Sequence, residues 1–153
     1  MITSVATFAG VGSAAISDAD RSVSNSTPAP GADVTVTVTA TVDDGSEAFA
    51  LEDTFDPAFQ GSSLDSVEVD GSSVTPLTQG FSDSAAGLTI DSEDLSNGSE
   101  VTIEYTVTAL DADNAEHSIT GTVTSGTTTD LGETTFTTDS SDDGGPDDGG
   151  PDD

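Results

Sequence analysis

The stretch ADVTVTVTATV, at residues 32–42, decides the fold class of this chain. From Val34 to Val42, valine or alanine stands at every second position and threonine stands between them. Because successive side chains of a β-strand point to opposite faces, this period of two predicts a strand with one buried face and one threonine face toward water.

A second stretch, SEVTIEYTVTA at residues 99–109, repeats the pattern with valine, isoleucine and tyrosine on one face. Five shorter candidate strands accompany these two: EAFALEDTF, LDSVEVD, GLTI, HSITGTVTS and GETTFTT. Turn signals separate them, and one of these, Asp70-Gly71, predicts a tight hairpin. The sequence therefore predicts an all-β protein, an antiparallel Ig-like β-sandwich of about seven to nine strands.

The segment TFDPAF places Phe55 and Phe59 on either side of Asp56-Pro57. Proline has no N–H to donate to a strand ladder, so we expect a strand to end here. We expect both phenylalanines to pack in the core, because aromatic side chains carry much of the buried area of a domain.

The chain divides into three parts. Residues 1–20 form an N-terminal segment with no charged side chain before Asp18. We interpret it as a flexible end, as the remnant of a secretion signal, or as an edge or donor strand. Residues 21–138 form the predicted sandwich. Residues 139–153, DSSDDGGPDDGGPDD, have no apolar side chain except proline, so we expect a disordered acidic linker or tail.

The charge balance of the sequence is extreme. The 153 residues include 30 acidic side chains and one basic one, Arg21, and the net charge is −29. Such a charge repels nucleic acid and anionic lipid, and no stretch is long and apolar enough to cross a membrane, so we expect neither nucleic-acid binding nor membrane insertion. Concentrated salt would screen the self-repulsion, which indicates a protein of a high-salt environment. The chain has no cysteine, which excludes disulfides and thiol chemistry.

Several segments together resemble a known family. They are PGADVTVTVTATV at 30–42, FALEDTFDPAF at 49–59, LDSVEVDGSSV at 64–74 and GLTIDSEDLSNGSEVTIEYTVTA at 87–109. This succession is similar to the Ig-like conserved repeat domains (DUF11-type) of haloarchaeal secreted and cell-surface proteins. The resemblance covers roughly residues 21–137. It implies an Ig-like sandwich that acts as a spacer, adhesion or assembly module, and it implies no catalytic residue.

Catalysis has little support in the sequence. A hydrolytic triad would need His117, the one histidine, as its base, and no Gly-x-Ser-x-Gly segment is present to offer a nucleophile. We therefore expect an ordinary surface histidine and no enzyme activity.

Calcium is the one cofactor that the sequence suggests. The segment DADNAE offers several oxygen ligands close together, and Ca²⁺ takes six to eight oxygens. The segment does not match the EF-hand loop, which needs Gly at its sixth position and Glu at its twelfth. The candidate ligands are Asp111, Asp113, Asn114 and Glu116.

Two further kinds of site follow from short patterns. Asn25-Ser26-Thr27 and Asn97-Gly98-Ser99 are acceptor sequences for N-glycosylation, provided that the protein is exported. The uncharged N-terminal segment could add as a strand to another copy of the chain, with Ile2, Val5 and Phe8 as the inserted side chains.

The function that these patterns predict best is a non-enzymatic extracellular structural or interaction module of a halophilic archaeon. Its partners would be other protein domains or copies of itself at the cell surface, and cations. Two alternatives stay open: a filament or pilus subunit that assembles by strand addition, and a calcium-stabilised ligand-binding module.

Overall fold

The valine and threonine stretch forms a single strand whose two faces differ as the alternation predicts. In the computed structural model, which describes residues 15–140, this strand is β2 (Asp33–Val42). Its valines are fully buried, and the threonines between them are half-buried. The second stretch forms β8 (Ser99–Thr108), which pairs antiparallel with β2 along its whole length.

The described residues contain ten strands and one short 3-10 helix (Ser92–Asp94). The other strands are β1 (Ile16–Val23), β3 (Phe49–Asp56), β4 (Gly61–Val69), β5 (Ser72–Ser73), β6 (Thr78–Phe81), β7 (Ala85–Ile90), β9 (Glu116–Ser125) and β10 (Thr127–Thr137). The predicted antiparallel Ig-like sandwich is confirmed. The strand count exceeds the expected range because β5 and β6, of two and four residues, are too short to give a periodic signal.

The strands form two sheets of five. The first sheet has the order β1-β2-β8-β4-β5 and the second the order β10-β9-β3-β7-β6. All neighbouring pairs are antiparallel, and the apolar faces of the two sheets enclose one core. β1 and β10, which are edge strands of different sheets, pack side by side and close one flank of the sandwich.

Strand register places the entry and the exit of the chain at opposite ends of the sandwich. Ile16 begins β1 beside Val42, the last residue of β2, and the Ala15 carbonyl accepts the Asp43 N–H at this end. Thr137 ends β10 beside Glu116, the first residue of β9. We call these the entry end and the exit end. The chain therefore runs lengthwise through the module.

The sandwich begins earlier than the predicted boundary at residue 21. β1 starts at Ile16, whose side chain is buried in the core, as is that of Ala15. The start of β1 has no clear alternating pattern in the sequence. Ser17, Asp18 and Asp20 are polar and exposed, and a register shift between Ile16 and Asp18 interrupts the alternation. At the other end, the Asp139 N–H still bonds the Pro28 carbonyl.

Two local predictions are confirmed. Asp70 and Gly71 form the tight turn between β4 and β5, with φ of 53° and 82°, and the left-handed conformation suits this residue pair. β3 ends at Asp56, before Pro57, and the peptide bond between them is cis. Phe55 and Phe59 are buried, with their rings 4.8 Å apart in an edge-to-face arrangement.

Candidate functional site

Arg21, the one basic residue of the sequence, is buried between the two sheets. It lies in β1, and 2% of its surface is exposed. Its neighbour across the ladder is Val38 of β2. A buried guanidinium must have its charge paired and its donors bonded, because desolvation of an unpaired charge costs several kcal/mol.

Asp53 of β3, in the opposite sheet, supplies the charge. Its two carboxylate oxygens accept from the guanidinium in a two-pronged contact: Nε donates to Oδ2 at 3.2 Å and Nη2 donates to Oδ1. Both side chains are fully buried. A two-pronged contact of this kind is a strong form of an arginine–carboxylate pair.

The remaining arginine nitrogen reaches the second sheet at two strands. Nη1 lies 3.1 Å from each of three acceptors: the carbonyl of Ile119 in β9, the carbonyl of Gly132 in β10 and the Thr134 hydroxyl in β10. One side chain of the first sheet thus bonds β3, β9 and β10 of the second.

Tyr105 completes the cluster from the first sheet. Its hydroxyl donates to Asp53 Oδ2 at 2.6 Å, and its ring is fully buried in β8. Burial raises the Tyr105 pKa far above its ordinary value, and the negative charge of Asp53 raises it further. Tyr105 is therefore a permanent hydrogen-bond donor. We refer to Arg21, Asp53 and Tyr105 as the inter-sheet cluster.

Gly121 makes room for the cluster. This residue of β9 pairs with Asp53, and a Cβ atom added to it would lie 2.0 Å from Asp53 Oδ1 and 2.2 Å from the Glu52 carbonyl oxygen. A register shift in β10, between Asp130 and Gly132, lies directly opposite on the other side of β9. Any side chain at position 121 would push β3 or the Asp53 carboxylate out of place.

Sequence reasoning missed this cluster, although the sequence carries a signal for it. In FALEDTFD, Asp53 stands two residues from Leu51 and two from Phe55, which places it on the inward face. An inward aspartate needs a buried partner, and the sequence offers one basic side chain for the purpose.

The position of His117 contradicts the expectation of a surface histidine. Its side chain is fully buried, because the alternation of β9 places it on the same face as Ile119. Its ring packs against those of Phe59, at 4.5 Å, and Phe136, at 5.0 Å, and these two rings also stack on each other at 5.8 Å. Nε2 accepts the Leu110 N–H at 3.2 Å, so Nδ1 carries the hydrogen, and this atom has no partner. Burial lowers the His117 pKa.

The predicted calcium ligands lie in the loop between β8 and β9 and at the start of β9. All four are exposed. Asp113 is already engaged: its Oδ1 accepts the Ser140 N–H at 2.7 Å and its Oδ2 accepts from the Asn114 amide at 3.1 Å. Within residues 15–140 no group of three or more His, Asp or Glu side chains is placed to hold a metal ion. Calcium binding by Asp111, Asp113, Asn114 and Glu116 stays a prediction.

The two glycosylation candidates occupy exposed turns. Asn25 lies between β1 and β2, and its side-chain oxygen accepts the Thr27 N–H at 2.9 Å. Asn97 lies before β8, and its side-chain oxygen accepts the Gly45 N–H at 3.0 Å. Glycosylation of either residue stays a prediction. The proposed assembly residues Ile2, Val5 and Phe8 lie outside the described residues, as does the chain beyond Ser140.

The flank opposite β1 and β10 is an open edge. β5 pairs with β4 only at Glu68 and Val69, and β6 covers part of β7. A surface groove lies here, lined by β4 and the link from β5 to β6. Leu77, in this link, has 57% of its surface exposed. Short edge strands limit unwanted pairing, but the unpaired backbone groups of such an edge can still receive an added strand.

Comparison with known proteins reveals similarity of fold. No protein-family model matches the chain, and no curated protein matches it. Among solved structures, it is similar to two domains of the major pilin SpaD from Corynebacterium diphtheriae, with 14% identity over 77% of this chain and 51% of that one, and a TM-score of 0.64.

Two further structures come from streptococci. The C-terminal domain of the antigen I/II-family protein AspA from Streptococcus pyogenes gives 11% identity, 82% and 53% coverage of this chain and that one, and a TM-score of 0.65. The pilus backbone RrgB from Streptococcus pneumoniae is 16% identical over 69% of this chain and 50% of that one, with a TM-score of 0.52. The chain thus spans about half the length of these structures. In residues 15–140, no helix is long and apolar enough to span a membrane.

Proposed function

We propose that this chain is a non-enzymatic structural module of an extracellular surface protein, in which it serves as a spacer or assembly unit. The observation that carries the proposal is the lengthwise path of the chain, which enters beside Asp43 and leaves beside Asp113 at the other end. A module with this path adds its full length to whatever it connects. Domains of a major pilin and of an antigen I/II-family protein have a similar fold.

The state of the one histidine supports a non-enzymatic role. A general base must reach a substrate proton within hydrogen-bond distance. His117 is instead fully buried against two phenylalanine rings, and its Nε2 accepts a backbone N–H. The inter-sheet cluster is equally closed, since Arg21 and Asp53 are buried and bonded to each other.

The charge supports a high-salt, haloarchaeal setting. A net charge of −29 on 153 residues is tolerable when the Debye length is about 3 Å, at roughly 1 M salt, and costly when it is about 30 Å in dilute buffer. The resemblance to haloarchaeal surface repeats is consistent with this setting.

The location can be tested on living cells. The chain would be expressed with an epitope tag in a haloarchaeal host, and intact cells in molar salt would be treated with a salt-tolerant protease. We expect loss of the tag signal from intact cells while a cytoplasmic control protein survives. A tag that becomes accessible only after lysis contradicts an extracellular role.

The second candidate is a filament subunit. Two observations favour it: four of the similar structures are of a major pilin or a pilus backbone, and the open edge could receive a strand. The N-terminal segment with Ile2, Val5 and Phe8 would be the strand that one copy inserts into the next.

Electron microscopy in molar salt separates the two candidates. A filament subunit forms fibres that disappear when Val5→Asp places a charge on the inserted strand, whereas the matched variant Thr3→Ser still forms them. Monodisperse particles of the unmodified chain at high concentration contradict the filament and leave the spacer.

A further inference from the structure

The first and last strands of the module lie side by side and run in the same direction. β1 runs from Ile16 at the entry end to Val23, and β10 runs from Thr127 at the entry end to Thr137 at the exit end. They belong to different sheets, so no strand lies between them on this flank.

Backbone hydrogen bonds join the chain just after β1 to the end of β10. The Thr137 N–H donates to the Ser26 carbonyl at 3.2 Å, and the Asp139 N–H donates to the Pro28 carbonyl at 2.9 Å. Donor and acceptor both advance by two residues, which is the spacing of a parallel ladder. The segment after β1 and the end of β10 are therefore held in register.

Arg21 adds a side-chain link between the same two strands near their middle. From β1, its Nη1 donates to the Gly132 carbonyl and the Thr134 hydroxyl of β10, each at 3.1 Å. The pair with Asp53 fixes the guanidinium in position for these bonds, since it holds the other two nitrogens.

Tension along the module would load all of these bonds together. A pull on the chain at Ala15 draws β1 toward the entry end, and a pull at Ser140 draws β10 toward the exit end. Parallel neighbours pulled in opposite directions slide past each other, so their bonds resist as a group. Antiparallel neighbours pulled from one end would instead separate one bond at a time.

We propose that β1, β10 and Arg21 form a mechanical clamp, and that a further function of this module is to resist tension between its two ends. The term clamp refers to the Arg21 bonds to Gly132 and Thr134 together with the two backbone bonds to Ser26 and Pro28. The proposal rests on the proposed spacer role for the source of the tension, but the clamp itself is a property of the isolated chain.

The direction of pulling tests the clamp without any change to its bonds. The full chain in molar salt would be held in an optical trap by a handle at residue 1 and a second at residue 153. In the comparison geometry, the second handle is attached to Thr127→Cys, a unique thiol because the sequence has no cysteine. Thr127 is exposed at the entry end, so this geometry peels β1 away. We expect a markedly higher unfolding force for the terminal handles; equal forces in both geometries would overturn the clamp.

Two threonines of β10 provide a matched pair of variants. Thr134→Val removes one acceptor of Arg21, whereas Thr129→Val changes a half-buried threonine of the same strand for which no side-chain hydrogen bond to Arg21 exists. Under terminal tension at a fixed force, we expect Thr134→Val to unfold roughly fivefold faster, which corresponds to one hydrogen bond, and Thr129→Val to change little. Equal rates for the two variants contradict the role of Arg21.

A triple variant separates mechanical from thermodynamic effects. Arg21→Met, Asp53→Leu and Tyr105→Phe together replace the inter-sheet cluster by apolar groups and leave no buried charge behind. We expect its urea midpoint to stay near that of the parent, while its unfolding force drops in the terminal geometry only. A retained force overturns the clamp. If this variant does not fold, the geometry comparison and the threonine pair decide the question.

Failure of the clamp and failure of the proposed function give different results. A chain that is exposed on cells but unfolds at the same force in both pulling geometries supports the surface role and contradicts the clamp. A chain that is protected inside cells, yet whose unfolding force depends on the pulling direction, supports the clamp and contradicts the surface role.

Discussion

Mild acid should destabilise this protein through His117, because the folded state holds its side chain neutral. Burial lowers the imidazole pKa below the ordinary value of 6.5. Protonation of Nε2 would also deprive the Leu110 N–H of its acceptor. Below pH 6.5 the unfolded chain therefore takes up a proton that the folded chain does not, and the free energy of unfolding falls as the pH falls toward the folded-state pKa.

The size of the effect follows from this linkage. The slope cannot exceed about 1.4 kcal/mol per pH unit for one group. If His117 stays neutral in the folded state, the free energy of unfolding falls by about 1.4 kcal/mol between pH values of about 7.5 and 5.5. The loss is smaller if the folded-state pKa lies inside this window.

Urea unfolding followed by circular dichroism, at constant molar salt and at several pH values across the window, measures this loss. The sequence has one histidine, so any histidine contribution to the pH dependence of stability comes from His117. His117→Phe is the control, because it keeps an aromatic ring in contact with Phe59 and Phe136 and cannot titrate. We expect the free energy of unfolding of the variant to stay constant across this pH range, whatever its absolute value. A flat profile for the parent, or the same slope in both proteins, would refute the reasoning.

Four further predictions concern the fold and its ions. Arg21→Met should lower the free energy of unfolding by about 3–5 kcal/mol, since Asp53 is then buried without its counter-charge, and a urea midpoint within error of the parent contradicts this. Gly121→Ala should lower the free energy of unfolding by about 1–3 kcal/mol or more, because the new methyl group clashes with the backbone of β3. Gly80→Ala, which has open space around the new methyl group, should lower it by less than about 1 kcal/mol in the same urea measurement. The melting temperature should rise steeply as salt increases to about 1 M, where the Debye length is about 3 Å; an unchanged value contradicts the screening argument. Calcium titration in molar NaCl should release heat that disappears when the two aspartates of the β8–β9 loop become asparagine, and equal heats in both proteins remove that site.

The parts of the fold that follow from the sequence are those set by local alternation. The faces of β2 and β8 could be predicted because burial alternates with every residue along a strand. The turn at Asp70 and Gly71 could be predicted because few residue pairs adopt its conformation. Each of these features depends on side chains only a few positions apart.

The inter-sheet cluster depends instead on which strands face each other. Arg21 and Asp53 are 32 positions apart and lie in different sheets. Thirty acidic residues gave the arginine many candidate partners, and charge alone could not select one. His117 was misjudged for a related reason: the polar loop before it suggested water, and the rings of Phe59 and Phe136 that cover it come from distant parts of the chain.

The space around Asp53 has a consequence for finding relatives of this protein. Replacing Arg21 or Tyr105 alone leaves a buried carboxylate with a lost donor, and adding a side chain at Gly121 displaces it. We therefore expect the residues at these four positions to covary among relatives of this protein. An arginine followed 32 positions later by an aspartate, then 52 positions later by a tyrosine, forms a spaced signature that could recognise distant members when overall identity is too low.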